Sequence, residues 1–403
     1  MSERKKAVTF ALSILPFVMN IALLDFFIPL KYDVILGNLP LMGLLVTVAW
    51  ILTSFFNFSI GDLTDKIGIR KTIQIGIIFA FAGAIIFGMS ENIWIMTFGV
   101  FLWGLSYIML TVPADTYIFS SFSKKYIGSA YGIMNFIYDL CYAFAPIIGF
   151  FAIKYFGMNN AIISVSIMVL IAIPLIVFVK GKNRGLFSSV KEVIVKDGIL
   201  KKEISDIRKM NLKEIALMIN IFVFGLWFMT IMIGAPLLFF HEERNLLHSA
   251  LLTFFFMIPF AFLEMIYGRM ANSERTRKKM IHYGFLISSV LLVVFYFLKD
   301  FKLLLLLAVF ITLFTNMAWV ASEIFISKYL PKNREGEFTG IFITAKDLGF
   351  DLGPLFYGVS AYYGLKVPFI FLGIILFLAG LFYIYADKKD FIMNFLNKKG
   401  KAN

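Results

Sequence analysis

Asp25, Asp139, Glu264, Lys346, Asp347 and Asp351 stand inside long apolar runs of this 403-residue chain. An ionisable side chain in such a run costs roughly 2.5–3.5 kcal/mol on membrane-insertion scales, so each needs a partner, a wet cavity or a function. A carboxylate in a low-dielectric cavity can load and release a proton near neutral pH, which is the chemistry of a proton carrier. Asp139 and Asp347 lie about 11 residues into their runs, near the middle of a ~30 Å hydrocarbon layer. Gly132, Asn135, Asp139, Tyr142 and Pro146 share one helical face, and Gly340, Thr344, Asp347, Asp351 and Pro354 share another. Such faces should look inward. Pairing between helices, Lys346 with a carboxylate for instance, is the alternative use of these charges. Glu264 lies four residues before Gly268, close enough to a surface to snorkel or to gate.

Groups able to hydrogen-bond or stack on a cargo are few. Asn20, Trp103, Tyr107, Tyr138, Tyr142, Trp227, Asn316 and Trp319 are the cavity candidates, with Trp50, Asn57 and Asn220 behind them. Three histidines and the single Cys141 give no metal-ligand cluster and no intrachain disulfide. Nucleophile motifs and phosphate-binding loops are missing, so the reading expects no catalytic residues, no metal and no enzyme.

The elements that must position these residues follow from composition. Sixty per cent of 403 residues, about 242, are apolar and only 16% are charged. That supplies on the order of a dozen membrane helices at about 20 residues each. Twelve runs can be marked: 8–30, 41–60, 72–89, 93–120, 129–151, 160–179, 214–239, 249–267, 280–298, 303–327, 337–360 and 367–386. The first is too long for a signal peptide and reads as a retained span. Assigning loops alternately puts 31 Lys and Arg on the side of the N-terminus and 6 on the other, with Lys346 inside a span. The bias predicts a multi-pass cell-membrane protein with both termini cytoplasmic. It also accounts for the net charge of +13 without nucleic acid. Residues 181–213 are the long polar interruption. Val190, Val193, Leu200, Ile204 and Ile207 recur there at helical steps, which predicts a surface amphipathic helix.

The chain repeats itself. Gly128, Gly132, Asp139, Leu140 and Pro146 recur as Gly336, Gly340, Asp347, Leu348 and Pro354, each 208 residues on. Asp115 recurs as Glu323 at the same offset, and Gly61 with Arg70 and Lys71 recurs as Gly268 with Arg277 and Lys278. Asp25 has no ionisable counterpart, since position 233 is Ile; this points away from a scaffold role. The expected fold is an all-α polytopic membrane protein of twelve transmembrane helices in two pseudo-symmetric six-helix bundles. Its parts would be an N-terminal bundle over 1–180, a linker over 181–213 and a C-terminal bundle over 214–403. Two such repeats suit a transporter that rocks one half against the other.

The run Gly61-Asp62-Leu63-Thr64-Asp65-Lys66-Ile67-Gly68-Ile69-Arg70-Lys71 resembles the loop 2–3 signature of the major facilitator superfamily, G-x-L-x-D-[RK]-x-G-x-[RK]-[RK], at every defined position. In the second half Asn272 stands where Asp65 stands and no second glycine follows. The resemblance implies a cytoplasmic gate in which Asp65, Arg70 and Asp115 form a charge clasp, with Gly61 and Gly68 shaping the loop. Arg277 with Glu323 would be a residual second clasp. Exporters of this family carry G-x-x-x-G-P-x-x-G-G in the fifth span; Pro146 and Gly149 match, while Cys141 and Phe150 depart. The expectation is a proton-coupled exporter of amphipathic or aromatic organic molecules, with Asp25, Asp139 or Asp347 as the carrier. Its alternative is proton-coupled uptake of a sugar, organic acid or similar metabolite. Neither needs a cofactor beyond an ion gradient, and the partners are the bilayer and the cargo, with the monomer as the working unit.

Overall fold

The computed structural model describes residues 2–123, 126–178, 210–329 and 335–400. Most of the predicted amphipathic linker, 181–209, lies outside them. The described residues are helices joined by short turns, which follows from a bilayer's demand that backbone polar groups be satisfied within the segment. The N-terminal half runs α1 (Glu3–Leu36), α2 (Leu39–Ser54), α3 (Asn57–Ile67), α4 (Ile69–Met89), α5 (Ile93–Ser121), α6 (Ile127–Phe156), α7 (Met158–Val169) and the short α8 (Ala172–Leu175). The second half runs α9 (Leu212–Phe240), α10 (Leu246–Met270), α11 (Glu274–Phe297), α12 (Phe301–Tyr329), α13 (Glu335–Ala361) and α14 (Val367–Gly400).

These elements recover the twelve runs, with two refinements. Among the described residues ten helices are long and apolar enough to cross a membrane, and α2 with α3, bent by 47°, counts as an eleventh when the pair is taken as one span. The twelfth, α13, carries Glu335, Glu337, Lys346, Asp347 and Asp351, too many charges to pass on hydropathy. At 27 residues it is about 40 Å long and still reaches across. Helix starts are set by asparagine. Asn38, Asn92, Asn211 and Asn245 each accept a backbone N–H from the first turn of α2, α5, α9 and α10. Each such cap is worth about 1 kcal/mol.

Both chain ends emerge at one end of the bundle, the base; the opposite end is the top. Glu3 at the start of α1 accepts from the Ser123 amide at 2.8 Å, tying the N-terminus to the base of α5. In the second half Lys213 and Lys278 converge on Asp387 at 2.8 and 3.1 Å, joining the bases of α9, α11 and α14. Lys213 and Arg277 also stack on Phe325 of α12. The sequence reading put Lys31 in a loop. It lies instead within α1, 2% exposed, donating to the carbonyls of Phe87 and Gly88 at 2.6 and 2.7 Å. Its ammonium sits on the carbonyl-rich end of α4, where the helix dipole favours a cation.

Within the first half α4 and α5 pack closest, with a Cβ at Gly83 falling 2.7 Å from the Gly99 carbonyl. Across the halves α2 packs on α13, α6 on α10 and α1 on α9. Those three seams frame the site.

Candidate functional site

Asp25 lies about two thirds of the way along α1, 5% exposed. Its Oδ2 accepts from the Tyr142 hydroxyl of α6 at 2.9 Å, while Oδ1 is buried without a partner among the described residues. Among those residues no cation pairs with it. Tyr142 turns its ring edge to Phe228 of α9, so the second half touches this group directly. Tyr107 of α5 is 38% exposed although it stands mid-span, within electrostatic reach of Asp25, Asp115, Asp347 and Asp351. Carboxylates from both halves thus surround it. The opening it faces is interior.

The α2–α13 seam is bridged by polar side chains. The Leu355 amide donates to Thr47 Oγ1 at 3.1 Å, Ser54 Oγ to Asp351 at 2.7 Å, and Asn57 Nδ2 to Asp347 at 3.4 Å. Nearer the top the same helices meet through backbone. A Cβ at Gly43 would fall 2.3 Å from the Pro354 carbonyl oxygen, and one at Gly358 the same distance from that of Leu39. On the α6–α10 seam Asn135 Nδ2 donates to Glu264 at 3.3 Å, and Phe136 and Phe144 meet Phe262 and Phe254 edge to face. Asp139, one turn beyond Asn135, is within electrostatic reach of Glu264. Lys346 acts on Asp115, Glu323 and Asp347 without a close ion pair among the described residues.

The other cavity candidates divide. Tyr138 lies within reach of Tyr107, its hydroxyl buried and unpartnered among the described residues. Trp103 is 4% exposed and packs on Trp50, their ring centroids 6.4 Å apart. Asn20 is fully buried and donates to the Val165 carbonyl at 3.1 Å, which places it in the α1–α7 contact rather than at the opening. Trp227, on the well-covered α9, and Asn316, on α12, are also fully buried. Trp319 stacks on Phe224 at 4.0 Å.

The predicted base clasp is not joined in this arrangement. Asp115 accepts from the Tyr131 hydroxyl at 3.0 Å, while Asp65 and Arg70 make no ion pair with it among the described residues. Gly68 holds φ +91 between α3 and α4, a conformation that glycine adopts without strain. Arg277 is 4% exposed and donates to the Ala271 carbonyl at 3.0 Å, away from Glu323. At the top, sequence reasoning missed a contact. Asp33, 1% exposed near the end of α1, is held by His241 and by Arg244 Nη1, the latter at 2.7 Å. Asp33 drew no notice because α1 runs six residues beyond its apolar core. No repeat signal marked the pair, since the offset in this part of the chain is 207, as from Gly61 to Gly268, and the contact spans 208.

Two six-helix halves enclosing a carboxylate-lined interior define a polytopic membrane transporter. The chain belongs to the major facilitator superfamily, whose model matches residues 10–250 and 245–395. An uncharacterised MFS-type transporter of Methanocaldococcus jannaschii is 31% identical over 138 residues, about a third of each chain. Multidrug resistance protein 2 of Bacillus subtilis is 23% identical over 362 residues, 87% of each. Among solved structures, a bacterial homolog of the human lysosomal transporter Spinster, in an inward-facing and occupied conformation, superposes with TM-score 0.72 at 12% identity. That match covers 96% of this chain and 98% of the other. The human organic anion transporter MFSD10 (TETRAN) gives 0.66 at 12% identity, over 95% and 100%. At such identities the structures speak for the fold alone.

Proposed function

We propose that this transporter exports amphipathic or aromatic organic molecules in exchange for protons, by alternating access between a base-open and a top-open arrangement. The observation that carries the reading is Asp25. It is a buried carboxylate within a span, with one neutral hydrogen-bond partner and no countercharge among the described residues, touching a tyrosine that leans on the opposite half. A proton is the countercharge that a transport cycle can add and remove. Tyr107, Tyr138, Tyr142, Phe228 and Phe350 supply aromatic faces near it, and among the described residues no arginine joins them. Such a lining suits flat or amphipathic cargo better than a sugar. The Bacillus subtilis relative, by its name a multidrug resistance protein, supports export.

On this reading the base is cytoplasmic, as the 31-to-6 bias of basic residues suggests, and the protein sits in the cell membrane as a monomer. The two bundles are its moving units, joined through 181–213. No cofactor is needed. Asp65, Arg70 and Asp115 would close the base when the top opens. The test is transport in proteoliposomes under imposed pH gradients of either sign, with a panel of fluorescent aromatic dyes and a sugar. Dye movement against its own gradient, driven by protons moving the other way, supports the reading. Sugar uptake in the direction of proton flow, with the dyes unmoved, overturns it.

A further inference from the structure

We infer that Asp33, His241 and Arg244 form a latch holding the tops of the two halves together, so that Asp33 positions α1 against α9 until the top opens. The inference rests on the alternating-access reading but not on the coupling ion or the cargo.

Three observations carry it. First, both oxygens of Asp33 are taken by the other half: His241 holds Oδ1, and Arg244 Nη1 holds Oδ2 at 2.7 Å. The Asp33 side chain is 0% exposed, yet it lies next to Val34, which is 56% exposed at the rim. A desolvated carboxylate is costly to strip of its partners while it stays buried. Here water can replace both partners once the halves part. The group therefore has two stable settings, paired and dry or separate and wet, which is what a switching contact requires.

Second, Asp33 and His241 lie at the top ends of α1 and α9, the first helices of the two halves, one residue off equivalent positions, since the repeat offset here is 207, as between the caps Asn38 and Asn245. Near-equivalent residues meet each other only close to the pseudo-two-fold axis. An acid of one half there faces a base of the other and attracts it. The contact therefore sits where α1 and α9 must separate for the top to open.

Third, the hook that brings Arg244 to Asp33 is built into the backbone. Arg244 takes φ +54, in the left-handed region that favours glycine. The Asn245 amide closes the end of α9 onto the Phe239 carbonyl at 3.0 Å. The guanidinium lies over the Phe240 ring, 5.0 Å from its centroid. Although its side chain is 53% exposed, Arg244 is therefore held at its backbone and at its guanidinium, by Phe240 and Asp33.

The test reads opening of the top directly. Leu39 is 5% exposed, with its carbonyl packed on Gly358 across the halves. In a Leu39→Cys, Cys141→Ser background, maleimide reaches the thiol at position 39 only when the top parts. Asp33→Asn and Arg244→Ala should each raise its labelling rate at least tenfold, the equivalent of about 1.4 kcal/mol. The exchanged pair Asp33→Arg with Arg244→Asp should bring the rate back towards the parent. Should Asp33→Asn fail to fold, Arg244→Ala and His241→Gln carry the test, since both replaced side chains are part-exposed. Unchanged labelling in folded single variants, or an exchanged pair as open as the singles, overturns the latch. Labelling needs no cargo and no proton gradient, so its outcome is independent of the test of coupling.

Discussion

Gly43→Ala adds one methyl group where two backbones already touch. Its Cβ would stand 2.3 Å from the Pro354 carbonyl oxygen, 3.0 Å from the carbonyl carbon and 3.2 Å from the Cα of Leu355. Carbon and oxygen come into ordinary contact near ~3.3 Å, so α2 and α13 must part there by about 1 Å. Backbone atoms on the facing helix cannot rotate away, as a side chain could. Overpacking of this kind costs about 1–3 kcal/mol. In a top-open arrangement the contact is absent and the methyl group is free. The whole cost therefore falls on the closed top and shifts the balance by a factor of about 5–150. Spin labels at Leu44 and Val359, 46% and 50% exposed on the two helices, report the change by pulsed electron resonance, and buried Cys141 stays silent. The expected result is a loss of the short-distance population to a longer one. Gly358→Ala should act the same way, through the Leu39 carbonyl at 2.3 Å. Gly128→Ala is the control, because a Cβ there meets nothing within 4 Å. A distance distribution in folded Gly43→Ala identical to the parent's would refute the reasoning.

Three further outcomes are expected. Cysteines introduced at Glu242 or Lys366 should be labelled from outside intact cells; labelling from the cytoplasm alone would reverse the orientation. Neutralising Asp65 or Arg70 should slow transport more than it weakens cargo binding, because a base clasp biases conformations without touching cargo; equal rates in parent and variants would leave the two as topology charges. Lys31→Met should lower thermal stability in detergent by about 1.5–3 kcal/mol, through the loss of charge-assisted bonds to Phe87 and Gly88. An unchanged melting temperature would show that desolvating the ammonium cancels those bonds.

Hydropathy made the spans legible because a bilayer leaves few choices for an apolar run of 20 residues. The bend between α2 and α3 was not visible in it, nor was the full length of α1. Both depend on packing between helices rather than on composition. Asp25 could be singled out because a buried charge is rare and its repeat position is Ile233. Its partner Tyr142 could not be, since one tyrosine among 17 carries no mark of what it faces. Asn20, Trp227 and Asn316 looked like cargo ligands by type, yet lie fully buried among neighbouring helices. A polar residue serves packing and cargo equally well, and the neighbouring helix decides which. The meeting of Asp33 and His241 was not legible, although near-equivalent positions come together close to a symmetry axis. Sequence alone does not say which equivalent pair lies there.

The proposed exchange of a proton at Asp25 in each transport cycle is measured most directly on folded Asp25→Asn protein. Cargo binding across pH 5.5–8 and pH-driven accumulation in proteoliposomes would be recorded on one purified sample. Asparagine keeps the shape and fixes the site in a neutral form. Binding should survive and lose much of its pH dependence, because the group whose protonation is linked to it has gone. Driven accumulation should fall to the level seen without a gradient. Accumulation that persists in the folded variant, with the parent's pH dependence, would contradict the account and pass the role to Asp139 or Asp347.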